Sequence, residues 1–148
     1  MRAARLLRLA ARGQGGQAMV EAALTLPLLC AFLFTMIELC LCYYSYCMIS
    51  ESARQGTRYA IVRGATCETA SKASCTVADS DVNTYVTSLG WPNLGGGTET
   101  ASTTFPDGNK NPGSRVQVTV SYSFPIDLPF VPQSTLALQS SSTMYFIQ

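Results

Sequence analysis

The chain contains no histidine, one tryptophan and only 13% charged residues among its 148. Without an imidazole, Ser-His and Cys-His nucleophile pairs are excluded. A zinc site at Cys67 and Cys75 would have neither histidine nor a second cysteine pair beside it to draw on. There is no Gly-x-x-x-x-Gly-Lys-Ser/Thr phosphate loop and no internal repeat. The run Asp107-x-Asn109-x-Asn111-x-Gly113 resembles a calcium loop only faintly. Its glycine stands one place late and Val118 occupies the position of the bidentate glutamate, so it reads as a hairpin turn. These absences predict a protein that is not an enzyme and carries no metal or cofactor.

What charge there is lies unevenly. Arg2, Arg5, Arg8 and Arg12 supply four of the ten basic residues before any acid appears, and from Gln17 onward six basic residues face nine acidic ones. A basic start ahead of a mildly acidic body fits membrane topology, and no basic patch remains in the body for nucleic acid. Mean hydropathy is positive, at +0.17.

The residues from Ala22 to Ile49 are apolar except for Glu38 and a few hydroxyls, and they exceed the roughly 20 needed to cross a bilayer. Preceding arginines would hold the N-terminus in the cytoplasm, and Tyr43, Tyr44 and Tyr46 stand where the far interface is expected. The 99 residues from Ser50 to Gln148 are too few to wrap such a helix as a buried core. A secretory signal has a shorter apolar region and a small-x-small cleavage site, which this segment lacks. A lipoprotein signal needs a small residue before its cysteine, whereas leucines precede Cys30, Cys40 and Cys42, and Tyr46 precedes Cys47. The start MRAARLLRLAAR also looks like a mitochondrial presequence, a reading that leaves the next residues unexplained.

Those residues run Gly13-Gln14-Gly15-Gly16-Gln17-Ala18-Met19-Val20-Glu21, followed by a Leu-Pro-Leu-Leu run at 26–29. A basic leader, a small residue at the cut and Glu as fifth mature residue resemble the signal of type IV pilin relatives. Cutting between Gly16 and Gln17 puts Glu21 in that position, whereas cutting after Gly13 or Gly15 does not. With SARQGTRYAIV further on, residues 12–64 are similar to TadE-like proteins of the tight-adherence (Tad/Flp) pilus system.

The resemblance implies a minor pilin or pseudopilin that takes part in assembling a Flp-type type IV pilus for adhesion or secretion. It would sit in the bacterial inner membrane as a single pass, with a periplasmic or pilus-exposed head. Its partners would be a prepilin peptidase, other Tad/Flp pilins, inner-membrane platform proteins and membrane lipid. The glycines at 15 and 16 would keep the chain flexible for the peptidase. In the mature chain the amine of Gln17 would lie one helical turn from the Glu21 carboxylate. Such a counter-charge offsets the roughly 2.5–3.5 kcal/mol or more that an ionised side chain costs in a bilayer. Glu38, about 25 Å further along the helix, either snorkels to the interface or contacts another subunit. The competing reading is an uncut, signal-anchored periplasmic binding module.

The expected fold is α+β, a long N-terminal transmembrane helix with a small antiparallel sheet head. Residues 1–16 form the leader, 17–64 the helix and 65–148 the head. Ile49, Ala53, Gly56, Thr57 and Ala60 make a small-residue stripe for a sheet, while Glu51, Arg54 and Arg58 form a solvated flank. Pro27 is expected to kink or loosen the helix, which continues to Val62 and stops by Gly64. A short helix capped by Asp79 or Ser80 carries Val82, Tyr85, Val86 and Leu89, ends at Gly90-Trp91-Pro92, and precedes a loop at Gly95-Gly96-Gly97. Strands are expected over Thr98–Phe105, Arg115–Phe124 and Thr135–Phe146, with a bend at Pro125, Pro129 and Pro132. Cys30, Cys40, Cys42 and Cys47 fall in the membrane helix, where a thiol behaves as a small hydrophobe. Cys67 and Cys75 lie beyond it and are expected to form a disulfide in an oxidising compartment.

Overall fold

The computed structural model describes residues 2–67, 75–90, 97–128 and 132–147, with side chains from Gly16 onward. Trp91, Pro92, Gly95, Gly96 and Pro129 lie outside the described residues. Helix α1 runs unbroken from Arg2 to Ile61 and contains Pro27. Alanine and leucine, both strong helix formers, dominate its first half, and the glycines at 13, 15 and 16 lie within it.

The helix ends one residue short of Val62, and its last carbonyls, which have no partner within a helix, are bonded elsewhere. Ile61 O accepts from Ile147 N at 3.2 Å. Tyr59 O accepts from Arg63 Nη1 at 3.0 Å.

Helix α2 spans Asp79–Ser88. Its cap position is Ala78, not Asp79 or Ser80 as expected from their polar side chains. Asp81, three residues on, reaches back to accept from Ala78 N at 3.0 Å. That is the reciprocal half of a capping box, and it needs no polar side chain at the cap itself. Gly90 follows with φ +69°, a left-handed stop that glycine adopts without strain.

Three strands, β1 (Glu99–Thr104), β2 (Arg115–Ile126) and β3 (Ser134–Tyr145), form an antiparallel meander in that order. The alternation of β2 is realised in full: Val116, Val118, Val120, Tyr122 and Phe124 are all buried on the face toward α1. Strand β2 continues two residues past its expected end at Phe124 and includes Pro125, paired with Thr135. Ser123 N donates to Thr98 O toward β1, so the missing N–H of Pro125 lies on the same side, beyond the start of β1. A proline costs no ladder bond there.

Helix α1 lies over β2 and β3, and α2 over β1. The stripe Ile49, Ala53, Gly56, Thr57 and Ala60 is buried, together with Ser45 and Ser52. Thr57 Oγ1 and Ser142 Oγ are 3.0 Å apart and tie α1 to β3. Tyr59 stacks on Tyr85 of α2 at 4.2 Å, with the Arg63 guanidinium 3.8 Å from the Tyr59 ring centre. The turn between β1 and β2 is closed by Asp107, whose carboxylate accepts from Arg115 N at 2.8 Å and Nη2 at 2.7 Å.

Candidate functional site

The segment Gly16–Glu21 is helical and stands clear of the head. A Cβ placed on Gly16 would have nothing within 4 Å. Gln17 and Glu21 share one helix face at i and i+4, and both are exposed. Thr25 Oγ1 donates to Glu21 O at 2.9 Å. The helix then passes through Pro27, where one backbone donor is missing.

From Met19 to Leu41 the large apolar side chains are exposed, Met19 at 76%, Leu24 at 72% and Leu28 at 74%. The helix is long and apolar enough to cross a membrane. Its bare part is shorter than the apolar run in the sequence, because the head takes over from Cys42, which packs against the core. Ala22–Leu41 remains, about 30 Å of helix at 1.5 Å per residue, the thickness of a hydrocarbon core. Tyr43, Tyr44 and Tyr46 are exposed around the foot of the head.

Glu38 is half-buried just below that foot. Seventeen residues at about 100° each place it roughly 100° around the helix from Glu21. The two carboxylates therefore face different sectors, and the fold does not bring them together.

Outside the helix, Cys67 and Cys75 are bonded as a disulfide, with Cα atoms 5.3 Å apart. Cys30, Cys40, Cys42 and Cys47 are free. Two carboxylates in the head have shifted titration. Asp107 is held below the usual carboxylate range by its bonds from Arg115. Glu99, on the inner face of β1, is raised by burial, and its Oε1 is buried without a hydrogen-bond partner. Nothing in the residue pattern marks Glu99 for burial, because β1 alternates too weakly to assign its faces. Among the described residues no group of three His, Cys, Asp or Glu side chains is placed to hold a metal.

A single apolar helix crowned by a three-stranded antiparallel sheet has a pilin-like layout, and the chain is an α+β protein of that class. Within the class, residues 16–58 match the model of the TadE-like protein family, so the resemblance read from the sequence is borne out over that segment. The match begins at Gly16 and takes in Glu21, Glu38 and most of the buried stripe of α1. No curated protein and no solved structure matches the chain.

Proposed function

We propose that the protein is a minor pilin or pseudopilin of a Tad/Flp-type pilus, cut by a prepilin peptidase between Gly16 and Gln17. It stays anchored by α1 with its N-terminus cytoplasmic and its head on the far side of the inner membrane. The observation that carries this reading is the start of the family match at Gly16, five residues before Glu21. A Cβ at Gly16 would meet nothing within 4 Å, so the glycine is not packed against the head. Because the segment is helical, the peptidase must unwind a turn to reach the bond after Gly16. Glycine in a helix interior costs about 0.8–1 kcal/mol relative to alanine, so the three glycines at 13, 15 and 16 lower the barrier to unwinding.

After cleavage the new amine of Gln17 and the Glu21 carboxylate stand at the edge of the bilayer. There the carboxylate pairs with this amine or that of a neighbouring subunit, and other pilins and platform proteins supply the contacts of the bare helix. Intact-mass measurement on protein from cells tests the cut. The expected mature form begins at Gln17 or its cyclised derivative, and Gly16→Ile leaves the chain full length. A start at Met1 overturns the reading in favour of an uncut anchor. Glu21→Gln is expected to be processed normally yet to lose co-purification with pilus proteins. Normal assembly of that variant refutes the charge pairing alone.

A further inference from the structure

The two edges of the sheet differ. Because Ser123 N donates to Thr98 O, odd-numbered residues of β2 bond toward β1 and even-numbered ones toward β3. In the register Val118↔Ser142 and Val120↔Ser140, the even residues of β3 are consumed by β2. Thr135, Ala137, Gln139, Ser141, Thr143 and Tyr145 therefore turn their N–H and C=O groups outward. Ile147 continues this row, and its N–H is taken by Ile61 O, so α1 closes the row at one end only. Among the described residues no hydrogen bond reaches the outward backbone groups from Thr135 to Tyr145.

Natural sheets blunt such an edge with charge, proline, a bulge or brevity. Strand β3 is 12 residues long, carries no charge and no proline, and pairs with β2 without a bulge. Its inner row is also incompletely covered. Leu136 is 43% exposed and Leu138 and Met144 are half-buried, whereas their partners Phe124, Tyr122 and Val116 are at most 4% exposed.

We infer that the free edge of β3 receives an extended strand from a different protein, an uncharged segment of alternating apolar and polar residues. Its apolar side chains complete the cover over Leu136, Leu138 and Met144. Strand β3 carries no charge for a charged partner to pair with, and the half-exposed Leu136, Leu138 and Met144 favour apolar side chains on the inner face of the added strand.

A second copy does not fit. Antiparallel β3–β3 pairing about a twofold axis would point the two α1 helices in opposite directions, although β3 and α1 run the same way in each chain. Thr57 lies beside Ser142 and Ile61 beside Ile147. The other free edge, β1, is only six residues long and lies under α2. Two helices about 10–12 Å wide on three strands about 4.8 Å apart overhang the sheet. Joining β1 of one copy to β3 of another would therefore drive α2 into α1.

The test is amide hydrogen exchange on the full-length protein, in membranes from cells that make it naturally and after purification in detergent. The expected result is that amides 135, 137, 139, 141 and 143 exchange at least about tenfold more slowly in the membranes. The even-numbered amides of β3 should match in the two samples. Ser141→Pro removes an outward donor, which an edge strand tolerates, and should abolish the added protection while the even amides stay slow. If that variant loosens the even amides too, Thr143→Pro replaces it in the same comparison. Equal exchange in both samples, protection that persists in purified protein, or protection indifferent to both proline variants overturns the inference. None of these outcomes depends on cleavage at Gly16, so failure here leaves the processing claim intact.

Discussion

Gly56 sits where α1, α2 and β2 meet, and a Cβ there would stand 2.6 Å from Val86 Cγ2 and 3.1 Å from Val118 Cγ1. Valine side chains are short and stiff and cannot swing aside. Gly56→Ala gains about 1 kcal/mol of helix propensity but incurs an overpacking cost of about 1–3 kcal/mol. A net loss of about 1 kcal/mol is expected in urea denaturation of the detergent-solubilised protein. In a Val86→Ala background the same change should cost nothing. Glu99 gives a pH signature. Its folded pKa lies above the unfolded value of about 4.3, so its contribution is full below that pH and is lost as pH rises through the folded pKa. Glu99→Gln should therefore raise the urea midpoint at pH 7 and leave it unchanged at pH 3.5. Gly56 was legible as part of a small-residue stripe. The burial of Glu99 was not, since it depends on which face of β1 turns inward.

The elements are joined by few links of high leverage. The connection from α1 to α2 is closed by Cys67–Cys75, eight residues apart, and Val77 N donates to Arg63 O at 3.0 Å beside it. On the chain-entropy model a loop of this size is worth about 2–3 kcal/mol. Replacing both cysteines by serine should lower the head's stability by about that amount, read as a fall in urea midpoint that reductant reproduces in the parent protein. The sequence distinguished this pair from the helix cysteines, because only these two lie beyond the apolar run. It also located the strands to within a residue or two, the largest difference being the extension of β2 by two residues through Pro125 to Ile126. The cap of α2 was missed, because a side chain three residues inside the helix does what a polar cap residue was expected to do.

At the scale of the whole molecule the division is between bare and covered helix. Cys30 and Cys40 lie on the bare part and Cys47 is exposed beside the foot of the head. For a single pass with the head outside, Cys47 is expected to react with a membrane-impermeant maleimide in spheroplasts. Cys30 should react only after detergent is added. Labelling is read by mass on single-cysteine variants that retain Cys67 and Cys75. Reaction of Cys30 in intact spheroplasts would contradict the placement of the span.

The sequence by itself determined the helix, the stripe that receives the sheet, the alternation of β2 and the glycine-to-glutamate spacing, because each is a local pattern with a fixed period or spacing. Only the tertiary structure decided where the bare helix ends. The 28 residues from Ala22 to Ile49 look alike in one dimension, and it is contact with β2 and β3 that withdraws one face of those beyond Leu41 into the head. It also decided which edge of the sheet stays open. An edge is defined by what lies beside a strand, and no residue in β3 records that α1 and α2 cover one face and leave its flank free.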